Sequence, residues 1–261
     1  MLIREDEKGP ILIGQPAHAW VSGQLARAWG NDRFGRFEPW EEVCLAAEQH
    51  DIGMAAWDAA PELNEATGLP YSFRELPRHT HLALWALAPS IVLPQSRYAA
   101  LLVSLHGTGL YEPTDQPNVS HDHDPDISAY LVRQHAFQDG LLASLRGDRH
   151  YAPYVVPEVL ARNRRLVARW DGISLALCHG LRFEHAHEGV PSADGEVTIT
   201  VMPAAEDGTE YIVDPWPFAG EALTLLYEGR RLEGAFTDEE TMRAALARAP
   251  WLVLETRLRP E

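Results

Sequence analysis

Trp40-Glu-Glu-Val-Cys-Leu-Ala-Ala-Glu-Gln-His-Asp-Ile-Gly53 repeats its apolar residues at helical spacing and ends on an imidazole and a carboxylate side by side, His50 and Asp51. A packed core ordinarily carries hydrocarbon at such a place. Adjacent helical residues diverge by about 100° around the axis. Both can still lean into a crevice between helices, where a neutral imidazole and a carboxylate reach one cation. The stretch predicts a helical core around a metal ion, with further ligands elsewhere in the chain.

On either side of it the helical pattern continues. Pro16 to Trp29 places Val21 and Leu25 on one face, with Pro16 suited to a first turn, and Glu38 to Ile52 forms the second helix. The Pro-, Gly- and Asn-rich residues 60–70 predict an ordered loop beside whatever the doublet binds. Helices resume near Leu82 and run through Ser96 to Gly109, Asp126 to Arg146 and Pro157 to Leu181. From Gly195 onward the residues alternate instead: Val197 to Val201, Tyr211 to Val213, Leu223 to Tyr227 and Trp251 to Leu258 read as strands. Between the last two, Thr237 to Ala249 reads as a helix with Thr237 at its N-cap and Glu240 three residues on. Residues 2 to 14 form a short two-stranded unit. The expectation is a mainly α fold with a small C-terminal antiparallel sheet, α+β overall. Residues 1–194 are expected to form the helical metal-binding domain, with 195–261 a small β-rich subdomain packed on it. That sheet is expected to pair with the N-terminal strands, since chain ends otherwise leave sheet edges exposed; capping the site or forming a homodimer edge are its other roles.

Composition narrows the partners. A formal charge of −16 over 261 residues argues against a nucleic-acid backbone or an anionic membrane surface, both of which need a basic face. A small anionic substrate stays compatible, because bound metal ions reverse the local sign. Lys8 is the only lysine, so an anion must be gripped by arginine, histidine or metal. No run approaches the roughly 20 apolar residues of a membrane span, and Met1 to Pro10 is charged where a signal peptide is apolar. The protein is therefore expected in the cytoplasm. Cys44 and Cys178 lie in separate apolar segments and read as reduced core residues.

The candidate ligands form a constellation. His18 is in register with Val21 and Leu25, His106 follows Leu102 on an inward face, and Asp171 shares a face with Leu160, Val167 and Ser174. Singly, each has an ordinary explanation: a core histidine is commonly bonded to a carbonyl, and a helical aspartate to an arginine. Together, His18, His50, Asp51, His106 and Asp171 fall on four helices that face one core, and buried ionised carboxylates need a partner. A hydrolytic ion there would lower the pKa of its water and polarise a phosphoryl oxygen. Glu48 or Asp58 would then orient the water or accept its proton, though a solvated face and a capping role are their plainer readings. The pairs His121/His123 and His185/His187 read as polar loop.

The order His18, His50-Asp51, Asp171 resembles the signature of the HD-domain superfamily of metal-dependent phosphohydrolases. Locally, Gln15-Pro-Ala-His-Ala-Trp-Val-Ser-Gly23, Gln49 to Gly53, Tyr98 to His106 and Trp170 to Cys178 resemble a bacterial family of unknown function, numbered 3891. The superfamily resemblance implies one or two divalent ions (Fe, Mn, Mg, Ni, Co or Zn). It also implies two further histidine ligands between the doublet and the last aspartate, His106 and His81, with His79 the substitute for His81. By the same resemblance the activity is hydrolysis of a small phosphorylated metabolite or nucleotide. The lysine that such enzymes often carry after the doublet is replaced here by Ile52-Gly-Met-Ala-Ala56. That departure leaves two alternatives in view, a di-iron oxygenase of the superfamily and a non-catalytic scaffold binding a small ligand.

Overall fold

The computed structural model describes residues 1–112, 124–205 and 207–261. Two short strands open the chain, β1 (Leu2–Arg4) and β2 (Ile11–Ile13), followed by helices α1 (Gln15–Ala28) and α2 (Trp40–Gln49). A single 3-10 turn, Ile52–Met54, and the short α3 (Ala55–Ala59) follow the doublet. Residues 60–70 carry a two-residue hairpin, β3 (Leu63–Asn64) and β4 (Leu69–Pro70), which meets Phe236 through its Gly68 carbonyl. Then come α4 (Arg78–Val92), α5 (Arg97–Gly109), α6 (Pro125–Arg146) and α7 (Pro157–Cys178). Ser96 caps α5 by accepting from the Ala99 N–H, and Asp124 caps α6.

The remaining elements are β5 (His185–Pro191), β6 (Glu196–Pro203), β7 (Glu210–Asp214), β8 (Leu223–Arg231), α8 (Glu239–Arg248) and β9 (Trp251–Arg259). Asp238, not Thr237, caps α8, its carboxylate accepting from the Thr241 N–H. Asp238 has the extended backbone that an N-cap requires.

The expectation of a mainly α fold with a small C-terminal sheet is overturned. Among the described residues, seven strands form one sheet in the order β1-β2-β8-β9-β7-β6-β5. All neighbours are antiparallel except β7 and β9, which run parallel. Nor is the core all helical. Val190, Ile199, Val201, Tyr211, Leu225 and Leu258 of the sheet share one hydrophobic cluster with Val21 and Leu25 of α1, Val43 of α2, Leu101 of α5 and Val167 and Trp170 of α7. The sheet is larger than its sequence pattern indicates for a physical reason. In β5 the register shifts between His187 and Val190, with Gly189 at φ +63°, so the two-residue period breaks within the strand. β1 and β2, the expected N-terminal pair, join the sheet through β8. His185 and His187, read as loop, are strand residues.

What the fold does for the site is hold four helices on one another. α1 packs on α2 and α7, α5 on α2, α4 and α7, and the turn after the doublet lies against α4. Only glycine fits there, since a Cβ on Gly53 would overlap the Leu84 carbonyl. His50, the C-cap of α2, and Asp51, at φ −103° and ψ 12°, therefore sit where the helix ends and the chain turns inward. No described helix is long and apolar enough to cross a membrane, and both cysteines are free and buried.

Candidate metal centre

α1 contributes His18, the end of α2 His50 and Asp51, α5 His106, and α7 Asp171. Two overlapping groups result, His18–His50–Asp51 and His50–His106–Asp171, each offering ligand atoms within 4.8 Å of one another. His18 Nε2 lies 2.7 Å from Asp51 Oδ2, and His50 Nε2 lies 3.3 Å from Asp171 Oδ1 and 3.6 Å from Asp51 Oδ2. His106 Nε2 is 3.5 Å from the other Asp171 oxygen. The three imidazoles meet edge to face, with His50 in the middle.

The outer nitrogens of two rings are already committed. Ser174 Oγ donates to the Asp171 carbonyl and accepts from Ser22 Oγ, so at 2.8 Å it takes a hydrogen bond from His18 Nδ1–H. His50 Nδ1–H donates to the Ala47 carbonyl at 2.8 Å. Both rings thus direct Nε2 inward, the arrangement by which proteins orient metal-binding imidazoles. An Nε2 facing a carboxylate oxygen at 2.7 Å calls for a shared proton or a metal ion. His50 Nε2, His106 Nε2 and Asp51 Oδ1 are buried with no hydrogen-bond partner, although unmet buried polar atoms are rare in native folds. The donor set, nitrogen and carboxylate oxygen, suits first-row divalent ions.

Electrostatics agree. Burial disfavours charge on His50, but the carboxylates of Asp51 and Asp171 outweigh it and lift its pKa to about 9. Burial alone would raise Asp171 and Asp51, yet the surrounding histidines hold both below the usual carboxylate range. His106, where burial dominates, is pushed down to about 4 and stays neutral. The centre of the fold therefore holds two ionised carboxylates, the electrostatic signature of a cation site.

A pocket of about 500 Å³ reaches this centre from the surface. Asp51, Asp171 and Gln15 form its buried end, Phe73, Trp85, Leu110 and Leu175 its walls, and Arg74 and Arg78 stand at its exposed end. His81 lines the same pocket outside both ligand groups: its Nε2 accepts from Trp85 Nε1 at 3.0 Å and its Nδ1 meets Tyr111 Oη at 2.7 Å. His79 is exposed in the first turn of α4. Glu48 is ion-paired to Arg27 at 2.5 Å, and Asp58 holds the Met1 ammonium at 2.7 Å and the Gln15 N–H. Neither of these two carboxylates lines the pocket. His121 and His123 lie outside the described residues.

Over residues 1–234 the chain matches the family described as Protein of unknown function (DUF3891). It belongs to that family. No curated protein and no solved structure matches it. The matched span of this DUF3891 member contains all five converging residues and the sheet through β8. Reading the sequence passes over two features of the DUF3891 site. Ser174 is visible as a polar residue three positions after Asp171, but its contact with His18 needs α1 and α7 to be packed together. Gln15 looks like an ordinary first-turn residue, and only the fold shows its side chain against Asp51.

Proposed function

We propose that this protein is a metal-dependent hydrolase with an HD-type centre, acting on a small phosphorylated metabolite or nucleotide. The observation that carries the reading is the convergence of imidazole and carboxylate groups from four helices, three of whose ligand atoms are buried and unpartnered, at the buried end of a pocket of substrate size. His18, His50, Asp51 and Asp171 would hold the first ion, and His50, Asp171 and His106 have the chemistry for a second. Such an ion, when bound, supplies an activated water and a Lewis acid for a phosphoryl oxygen.

The chain's own residues do the rest. Ser174 and the Ala47 carbonyl hold Nδ1 of His18 and His50, so that Nε2 of each ring is aimed inward. Phe73, Trp85 and Leu110 provide an apolar wall that displaces water from a bound substrate. Arg74 is in no ion pair among the described residues, and Arg78 pairs with Asp124 at the pocket's edge. These guanidiniums stand in for the lysine that HD phosphohydrolases often place after the doublet, and they offer positive charge on a chain of net charge −16.

The test is a screen of phosphomonoesters and nucleotides with protein reconstituted separately with Mn²⁺, Co²⁺, Ni²⁺, Zn²⁺, Mg²⁺ and Fe²⁺. Release of phosphate by the wild type and its loss in His50→Ala are expected. Phosphate release that survives in His50→Ala would overturn the reading. Oxygen consumption by the iron-loaded protein with no phosphate release would replace it with the oxygenase.

A further inference from the structure

Gln15 opens α1 on the wall it shares with Asp51 and Asp171, and it is almost fully buried. Its backbone N–H donates to Asp58, which anchors the start of the helix. Its side-chain Nε2 lies 3.1 Å from Asp51 Oδ2, the same oxygen that His18 approaches. An ionised carboxylate only accepts, so the orientation of the amide follows from its neighbour: nitrogen toward Asp51, oxygen away. That oxygen, Gln15 Oε1, is buried and has no hydrogen-bond partner. Asp51 Oδ1 is likewise buried and without a partner. A carboxamide satisfied on one side only, at the closed end of a pocket, is short of one hydrogen-bond donor.

We propose that Gln15 is a positioning and selectivity residue of this centre. Nε2 locks the Asp51 carboxylate so that its free oxygen serves the cavity, and Oε1 accepts a hydrogen bond from an O–H or N–H group of the molecule bound there. The inference rests on the reading of the centre as a metal site, and it adds a requirement on the ligand: a donor next to the atoms that meet the metal. Gln15 is not itself a ligand in this account, because its nitrogen occupies the edge of Asp51 nearest to it.

Calorimetric titration of full-length, tag-free protein with Mn²⁺ tests the first half. Gln15→Met, similar in length and without hydrogen-bonding capacity, is expected to weaken Mn²⁺ binding about 10–100-fold, as removal of groups that orient ligands typically does. Gln15→Glu is expected to weaken it too, by setting a second carboxylate against Asp51; tighter binding would make Oε1 a direct ligand and overturn the proposal. The second half is read with acetohydroxamate, which carries an N–H, and its N-methyl derivative, which does not, titrated into the Mn²⁺-loaded protein. Wild type is expected to prefer the N–H form about tenfold, and Gln15→Met to lose most of that preference. Equal preference in both proteins would overturn the selectivity role. Unchanged Mn²⁺ affinity in Gln15→Met, with affinity abolished in His50→Ala, would overturn the positioning role and leave the metal centre standing. Failure of the wild type to bind Mn²⁺ would remove both.

Discussion

Two sets of histidines in this molecule look alike in one dimension and differ in three. His185 and His187 stand on β5 with ring centroids 4.7 Å apart, and His18, His50 and His106 meet at comparable separations. The helical set faces two carboxylates, and two of its rings are pinned by hydrogen bonds from Nδ1. The strand pair has no carboxylate within ion-pair distance among the described residues, and burial followed by repulsion from His185 pushes His187 down to about 4. Proximity of imidazoles is therefore insufficient. Negative charge, and outer hydrogen bonds that aim two of the rings, are what separate a cation site from a pair of packed aromatics.

The contrast can be broken most directly at its centre. His50→Ala removes the residue common to both ligand groups and is expected to abolish metal loading, whereas His187→Ala should leave metal content unchanged; metal analysis of the two purified variants checks both. Next in size is Ser174→Ala, which frees the His18 ring without touching a ligand. A loss of about 10–100-fold in metal affinity is expected by titration, and no change would show that the Ser22–Ser174–His18 chain is only packing.

pH sharpens the same distinction. A protonated imidazole cannot ligate, so metal binding must displace the proton that Asp51 and Asp171 hold on His50, and affinity should rise with pH toward about 9. Stability of the metal-free chain should move the other way. The folded pKa of His50 lies above its unfolded value of about 6.5, so its contribution is complete below that value and is lost as pH rises through about 9. Thermal unfolding of metal-free protein between about pH 6.5 and 9 is expected to show a falling midpoint on this account. The strand pair predicts no such opposition, and parallel trends in affinity and stability would contradict the assignment. The smallest effect belongs to His81→Ala: with both ring nitrogens held by Trp85 and Tyr111, its loss should change metal affinity by no more than about threefold. A loss like that of His50→Ala would make His81 a ligand in the loaded protein.

The five converging residues are legible because three sit in helices whose 3.6-residue period shows which way they face, and His50 and Asp51 close a fourth helix that is apolar on its inner side. His18 announces itself by sharing a face with Val21 and Leu25, and Asp171 by sharing one with Val167. His81 rests on the superfamily resemblance rather than on a helical period; the start of α4 places it in the same pocket, where Trp85, one turn on, and Tyr111, just after α5, meet its nitrogens. Ser174 and Gln15 were hidden for another reason: their roles exist only across helix contacts, and neither residue type is unusual where it stands. The sheet was the harder part. The N-terminal pair and four C-terminal strands show in the residue pattern, but the bulge at Gly189 breaks the two-residue period of β5, and no local pattern reveals that β7 pairs in parallel with β9.

Elemental analysis of tag-free wild-type protein beside His50→Ala, purified without chelator, tests the central claim most directly. The account predicts one or two divalent ions per wild-type chain and none in the variant. Equal metal in the two proteins, or none in the wild type even after reconstitution, would contradict it.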